Sequence, residues 1–178
     1  MTTDFKAMRV TALAGGVGGA KLALGLQLVL EPHNLTVIVN TGDDFEHFGL
    51  AISPDVDTVC YSLAGIADAE HGWGLQGESW QVLSALEEIS APTWFQLGDR
   101  DSATHMERTR LLKAGWSLSQ VTEHFCRLWG VPSQVRGCAL ASAANERSSL
   151  SDVDSHPNGR VAGFSGILCA RTLRAGGS

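Results

Sequence analysis

Residues 9–21 have the sequence RVTALAGGVGGAK, and this segment gives the clearest indication of the fold. Its apolar run Arg9–Ala14 ends in a glycine cluster, which is typical of a strand followed by a tight loop. Leucines then recur at helical spacing along Ala20–Leu30, and Leu35–Asn40 is rich in β-branched residues without polar alternation, as in a parallel strand that is covered on both faces. The first forty residues therefore predict a strand, a glycine loop, a helix and a second strand, which form one βαβ unit.

The alternation of strands and helices continues downstream. Ser53 before a proline and acids is the pattern of a helix start, and Ser117 with Gln120 has the spacing of a capping box. The predicted class is α/β, with a Rossmann-like, mainly parallel sheet and helices on both faces. The further elements expected are a helix from Ser53 to about Ala64, a long loop over residues 65–77, a helix Ser79–Ile89, a strand candidate Thr93–Leu97, a helix Ser102–Ala114 and a helix from Ser117 to Gly130.

The charge is distributed unevenly along the 178 residues, whose formal net charge is −6. Residues 1–135 hold 8 Lys and Arg against 16 Asp and Glu, a net charge of −8, whereas residues 136–178 hold 5 Arg against 3 acids, a net charge of +2. Beyond Val135 the sequence is rich in Ser, Ala, Gly and Arg and has no sustained period of strand or helix. We therefore predict a folded domain over residues 1–135 and a loop or disordered tail over residues 136–178.

Composition excludes several classes of protein. No apolar run approaches the ~20 residues of a membrane-spanning helix, and the first ten residues lack the apolar core of a signal peptide, so a cytoplasmic protein without a membrane partner is expected. The acidic balance argues against a nucleic-acid partner. The four cysteines form no C-x-x-C pair, which favours reduced thiols over a disulfide framework or a zinc cluster.

The glycine loop indicates a phosphate or diphosphate ligand. Glycines let backbone N–H groups approach an anion, and the following helix adds a partial positive charge. A P-loop does not fit, because Ala20 separates the last glycine from the lysine and the magnesium-binding hydroxyl is missing. A dinucleotide-binding fold also fits poorly, because it has an acidic residue after the second strand, where this chain has Asn40 and Thr41. A tight turn required only for packing remains the alternative. The candidate phosphate-binding residues are Gly15, Gly16, Gly18, Gly19 and Lys21.

Polar side chains follow the carboxyl ends of two predicted strands, the edge at which open α/β sheets bind ligands. The polar residues after the first of these strands could hold a magnesium ion or orient a hydroxyl, or could form an ordinary solvated turn. The polar residues after the second strand could form a polar active site, or could cap the next helix. Asp55 more simply serves the helix dipole, while Asp57 could face the same cleft. The polar residues after the first strand are Asn40, Thr41, Asp43 and Asp44, and those after the second are Asp99, Arg100, Asp101 and His105.

These segments, in this order, closely resemble the 2-phospho-L-lactate transferase (CofD-like) family over about residues 8–135. The resemblance implies a transfer of a 2-phospho-L-lactate or phosphoenolpyruvate group from a guanosine diphosphate ester to the ribitol hydroxyl of the deazaflavin Fo, with release of GMP, in coenzyme F-420 biosynthesis. Magnesium is the implied cofactor. The motifs that carry the resemblance are GGVGGAK at 15–21, VNTGDD at 39–44, ISPDVDT at 52–58, WG at 73–74 and LGDRDSATH at 97–105, followed by Arg108 and Thr109.

The resemblance also implies roles for single residues. The glycine loop and Lys21 would cradle the diphosphate, and Asp57 would contact the deazaflavin. Gln96 stands where the family usually has a basic residue at the deazaflavin site. Our own candidates for metal binding or hydroxyl positioning are Asp43, Asp44, Asp99 and Asp101, of which Asp44 and Asp99 are the metal candidates.

Two other functions remain alternatives. Gluconeogenesis-factor proteins of the same superfamily have a similar glycine loop and bind nucleotide sugars as regulators, and a nicotinamide-dependent oxidoreductase would share the fold. The ISPDVDT and LGDRDSATH segments favour the transferase, and the missing acid after the second strand argues against the oxidoreductase.

The length of the chain sets a further expectation. Members of the family are longer than 178 residues, pair as homodimers when full-length, and continue after the position of Val135 with a Met-Ser/Thr-Asp-Asp segment that this chain lacks. We hypothesise a shift of reading frame near residue 135. Because the second half of the family supplies much of the guanine and phosphate pocket, the resemblance implies that this chain alone is inactive.

Overall fold

The computed structural model describes residues 5–138 and the pair 169–170. Short 3-10 turns lie at Phe5–Ala7 and Pro32–Asn34. The strands and helices, in chain order, are β1 (Val10–Ala14), α1 (Gly16–Val29), β2 (Leu35–Asn40), β3 (Phe45–His47), β4 (Leu50–Ile52), α2 (Pro54–Ala64), α3 (Gln81–Glu88), α4 (Asp99–Lys113), α5 (Leu118–Leu128), β5 (Gln134–Cys138) and β6 (Cys169–Ala170).

The main sheet has the strand order β5-β2-β1-β6. Strands β5, β2 and β1 are parallel, with Ala12 opposite Val37 and Val37 opposite Val135, and β6 adds an antiparallel edge. Parallel strands joined through helices form the predicted βαβ unit and a third strand. The α/β class with a mainly parallel, Rossmann-like sheet is therefore confirmed, and the carboxyl ends of β1, β2 and β5 share one edge.

The core lies between the sheet and three helices. Ala12, Val37 and Val135 are buried on one face of the sheet, and they pack in one cluster with Ala20 of α1 and Val59 of α2, together with part of α5. Among the residues that the structure describes, no helix packs on the opposite face, so the alternate side chains of β2 are only half-buried where the sequence suggested full cover.

The prediction of a strand at Thr93–Leu97 is wrong, because this segment pairs with no other strand. Its aromatic side chains pack on others instead: the rings of Trp94 and Phe95 lie 5.6 and 5.1 Å from the ring of Phe45. Phe45 belongs to a small hairpin, β3–β4, that sequence periodicity did not predict. Strands of three residues are too short to show a period of two.

Two helices begin earlier than expected. Helix α1 begins at Gly16, within the glycine cluster, and α4 begins at Asp99 and not at Ser102. In both cases glycine or acidic residues, which the sequence analysis treated as loop, form the first helical turn. Acids in a first turn are favoured by the helix dipole.

The prediction of loop or disorder is wrong for five residues of the tail. Strand β5 continues past Val135 to Cys138 because it pairs with β2 through residue 138, and Cys169–Ala170 pairs with β1. The rest of the predicted tail, residues 139–168 and 171–178, lies outside the described residues. Within the described part of the chain, no helix is long and apolar enough to cross a membrane.

Candidate active site

The glycine loop turns the chain from β1 into α1. Gly16 has a φ of +54°, which favours glycine, and a Cβ on Gly19 would lie 2.9 Å from the Cα of Ala14, so α1 can cross β1 this closely only with glycine there. Gly18 has open space around it. The first turn of α1 therefore presents backbone N–H groups at the carboxyl edge of the sheet, where an anion can accept hydrogen bonds. Lys21 lies exposed on α1.

Asn40 joins this loop to the start of α2. Its side-chain amide donates to Asp55 at 2.9 Å and to Asp43 at 3.2 Å, and its side-chain oxygen accepts from the N–H of Gly42 at 3.0 Å. The Asp55 carboxylate lies against the glycine loop, because a Cβ on Gly15 would meet its Oδ2 at 3.1 Å. Sequence reasoning assigned Asp55 to the helix dipole, and its position beside the candidate phosphate site was missed.

Asp44 lies at the inner side of the same loop. Its Oδ2 accepts a hydrogen bond of 2.7 Å from the Ser53 hydroxyl, while its Oδ1 is buried without a hydrogen-bond partner. Burial and, to a smaller extent, the neighbouring carboxylates of Asp57 and Asp55 raise the pKa of Asp44 to about 6, against the lowering effects of Ser53 and Arg108. A buried carboxylate oxygen without a partner, among further acids, fits a hard divalent cation.

Asp99, the second metal candidate, has another position. Its carboxylate accepts hydrogen bonds from the Ser79 hydroxyl and from the N–H groups of Gln81 and Val82, so it caps α3. These three donors lower the pKa of Asp99. Its metal-binding role stays a prediction, while the structure shows its oxygens engaged by α3.

The start of α4 is capped in return. Glu78 accepts from the N–H groups of Arg100 and Asp101 at 2.8 Å each, and the Arg100 guanidinium donates to the carbonyl of Gln76. A Cβ on Gly98 would collide with Glu78, so this capping contact requires glycine at 98. Arg100 therefore holds the segment before α3 against α4.

A buried network of charged side chains connects α2 and α4. Both terminal nitrogens of Arg108 donate to the Asp57 carboxylate, and Nη1 also donates to Nδ1 of His105 at 3.0 Å. Nε2 of His105 lies 3.5 Å from Oδ2 of Asp101, whose Oδ1 accepts from the Tyr61 hydroxyl at 2.5 Å. Arg108, Asp57 and His105 are 1%, 5% and 1% exposed.

The protonation states of this network follow from its contacts. Burial raises the pKa of Asp57, and the Arg108 guanidinium, which donates to both of its oxygens, opposes that effect. Burial also raises the pKa of Asp101, but the neighbouring His105 imidazole and the hydrogen bond from the Tyr61 hydroxyl outweigh it, so that pKa lies below its usual value. Burial raises the pKa of the Tyr61 hydroxyl, which stays protonated and donates.

A cavity of about 400 Å³ opens over this network. Its inner part is polar and buried and includes Asp57, Asp101 and His105, whereas Trp94 and Trp73 at its mouth are 69% and 40% exposed. The lining residues are Ile52, Pro54, Asp57, Thr58, Tyr61, Trp73, Gly74, Trp94, Phe95, Gln96, Asp101 and His105.

The cavity and the glycine loop are neighbours. Pro54 lines the cavity while the next residue, Asp55, lies against Gly15, and a Cβ on Gly72 would touch the Val17 side chain at 3.2 Å. One wall of the cavity is therefore continuous with the loop that begins α1.

The predicted site residues thus divide into groups. The structure brings Asp57, Gln96, Asp101 and His105 to one cavity, and it brings the glycine loop, Asn40 and Asp43 together beside it, with Thr41 in the same turn. Lys21, Asp99 and Arg100 do not line the cavity. Lys21 is exposed on α1, Asp99 caps α3, and Arg100 donates to the carbonyl of Gln76. The residues that sequence reasoning did not select for the site include Asp55, Tyr61, Trp73, Trp94, Phe95 and Arg108.

Comparison with known proteins agrees with the motifs. The sequence model of the family described as 2-phospho-L-lactate transferase CofD matches residues 10–150, which extends past the predicted domain boundary at 135. That boundary, and the shift of reading frame proposed near it, stay predictions.

Curated relatives of this chain include proteins named phosphoenolpyruvate transferase. The protein of Kitasatospora aureofaciens is 50% identical over 124 residues, which cover 68% of this chain and 39% of the relative. The proteins of Mycolicibacterium smegmatis and Mycobacterium tuberculosis are 44% and 41% identical over 163 and 164 residues, each covering 84% of this chain and 47% and 48% of the relative. The chain spans less than half the length of these relatives. It belongs to the 2-phospho-L-lactate transferase (CofD) family.

Proposed function

We propose that this site serves a transferase that moves a phosphoenolpyruvate group, or the related 2-phospho-L-lactate group, from a guanosine diphosphate ester to the hydroxyl of the deazaflavin Fo in coenzyme F-420 biosynthesis. The relatives' name favours the enolpyruvate donor. Because the chain spans less than half of those relatives, the described residues account for the acceptor cavity and the glycine loop, and the activity is that of the whole enzyme.

The observation that carries the proposal is the cavity beside the glycine loop. Its volume of about 400 Å³ lies in the range of small-molecule sites, roughly 300–1,000 Å³. Aromatic rings at the mouth suit a planar tricyclic ring system, and the carboxylates and imidazole below suit hydroxyl groups. The adjoining loop suits the phosphates of a nucleotide donor.

The reaction requires positioning more than a covalent nucleophile. The acceptor hydroxyl oxygen attacks the phosphorus that bears the organic acid, so that a new phosphorus–oxygen bond forms and the bond to the bridging oxygen breaks. GMP leaves with the electrons of the broken bond, and a carboxylate of the cavity accepts the hydroxyl proton. The N–H groups at the start of α1 bind the phosphate oxygens, and the cavity holds the acceptor in line.

Magnesium fits the residues beside the loop. Asp44, with its unpartnered buried Oδ1, and Asp55 would hold the ion. When bound, the ion supplies positive charge to the phosphates, which would otherwise face the Asp55 carboxylate across Gly15. We expect this chain to bind a guanosine diphosphate more weakly when magnesium is removed, and Asp55→Asn to reduce that dependence.

The acceptor site is tested by titrating Fo into the full 178-residue chain and following its fluorescence. Trp94→Ala removes an aromatic wall and should weaken binding about ten-fold, equivalent to about 1.4 kcal/mol. Trp116→Ala is the matched control, because Trp116 is also exposed but packs edge-to-face against His124 outside the cavity. Equal affinities of the two variants would contradict the assignment of the cavity.

A further inference from the structure

The inner part of the cavity holds a buried donor without a partner. Nε2 of His105 is buried and makes no hydrogen bond, and Oδ2 of Asp101 lies 3.5 Å away. An N–H left unpaired in the interior costs about 1–3 kcal/mol. A bound group that accepts from this nitrogen would recover that free energy.

The tautomer of His105 follows from its other nitrogen. Arg108 Nη1 lies 3.0 Å from Nδ1, and a guanidinium can only donate, so Nδ1 must accept and the ring proton must be on Nε2. Arg108 cannot rotate away, because both of its terminal nitrogens also bind Asp57. The proton on Nε2 therefore lies on the side of the ring that faces Asp101, 3.5 Å from Oδ2 and without a hydrogen bond.

Asp101 supplies the complementary acceptor. Tyr61 donates to its Oδ1, which fixes the carboxylate and leaves Oδ2 beside Nε2 of His105. Both side chains line the cavity. The site thus presents one donor and one acceptor, 3.5 Å apart, at the bottom of a pocket with aromatic walls. A hydroxyl is the group that donates and accepts at once.

We propose that Asp101 and the Nε2–H of His105 form a hydroxyl-binding pair, in which the acceptor's reacting hydroxyl donates to Asp101 and accepts from His105, with Arg108 and Tyr61 as positioning residues. This proposal rests on the proposed function, since it names the pair that receives the acceptor. It differs from a metal site of Asp57, Asp101 and His105, because Arg108 engages both oxygens of Asp57.

The first test needs no ligand. Nitrogen NMR of the ring of His105 in the full chain distinguishes a proton on Nε2 from a proton on Nδ1 or on both. We expect Nε2–H at neutral pH, unchanged in the control variant His33→Asn, whose histidine is exposed. A protonated Nδ1 would overturn the proposal.

The second test compares the affinity of the chain for the deazaflavin acceptor and for its analogue without the reacting hydroxyl. The wild type should prefer the hydroxylated ligand about ten-fold, consistent with the cost of leaving a buried donor and acceptor unpaired. His105→Gln keeps an N–H near Nε2 and should retain much of this preference, whereas His105→Asn and Tyr61→Phe should lose most of it.

A merely structural role predicts a different pattern. If His105→Gln and His105→Asn lose the preference equally, or if neither does, the proposal is wrong. If the wild type binds neither ligand, the proposed function fails, while the NMR result still decides whether Arg108 fixes the tautomer that the hydroxyl-binding pair requires.

Discussion

Replacement of Arg108 by methionine tests the buried network that underlies the cavity. Arg108 is 1% exposed and donates to Asp57 through both terminal nitrogens. Methionine retains most of the volume of the side chain but leaves the Asp57 carboxylate buried without its partner. Removal of one member of a buried ion pair typically costs about 3–5 kcal/mol. Because domains of this size are stable by about 5–15 kcal/mol, a large part of the stability should disappear.

The assay is urea unfolding of both proteins, followed by tryptophan fluorescence and circular dichroism, with the free energy of unfolding extrapolated to water. Arg110→Met is the matched control on the same helix. Arg110 also pairs with a carboxylate through two nitrogens, that of Glu107, but its side chain is 65% exposed. An exposed pair contributes about 0–1 kcal/mol, so this variant should remain close to the wild type.

The stability deficit of Arg108→Met should also depend on pH, through the pKa of Asp57. Burial already raises the pKa of Asp57, and loss of Arg108 removes the main opposing charge. When folding raises the pKa of a carboxyl, its protonated form favours the folded state. This contribution to stability is complete at pH values below the pKa of the unfolded state, and it is lost as pH rises through the pKa of the folded state. The deficit of Arg108→Met should therefore shrink as pH falls from 7 toward 4. A loss of stability no larger than that of Arg110→Met at pH 7 would show that the buried Asp57 carboxylate does not depend on Arg108.

Two further substitutions test the loop and Asp44. Asp44→Asn removes a carboxyl whose pKa is raised to about 6, and should stabilise the ligand-free protein by about 1–2 kcal/mol at pH 7, after allowance for its partial exposure. The wild type should lose stability as pH rises from 4 to 6, and the variant should lose less. Urea unfolding over that range checks this, and the same pH dependence in both proteins would contradict it. Gly19→Ala should destabilise the protein by about 1–3 kcal/mol, because the added Cβ would lie 2.9 Å from Ala14. Gly25→Ala in the same helix has open space around it and should stabilise the protein by about 0.5–1 kcal/mol. Thermal unfolding compares the two variants, and equal effects would exclude a packing role for Gly19.

Local patterns were sufficient for the first βαβ unit. The glycine loop, the helical spacing of leucines and the run Leu35–Asn40 predict β1, α1 and β2 because each signal lies within one element. The Ser117 capping box is also present in the structure, with both reciprocal hydrogen bonds. The end of β5 could not be predicted in this way, because residues 136–138 become a strand only through pairing with β2, almost a hundred positions earlier.

The site required tertiary contacts that no spacing reveals. Asp57 and Arg108 are 51 positions apart, and Asp101 and Tyr61 are 40 apart. Asp57, Asp101 and His105 could be selected from sequence as acids and an imidazole near helix starts, but Arg108 and Tyr61 resemble ordinary helix residues until α2 and α4 pack together. The residues Trp94 and Phe95, expected in a strand, line the cavity instead.

The proposal that this chain carries the deazaflavin acceptor cavity is tested by a parallel titration with Fo, a UDP-sugar and NAD. We predict saturable binding of Fo, weakened by Trp94→Ala and not by Trp116→Ala, with no competition by the UDP-sugar or NAD. Saturable binding of the UDP-sugar or of NAD, without binding of Fo, would contradict the account and favour a regulatory nucleotide-sugar protein or an oxidoreductase.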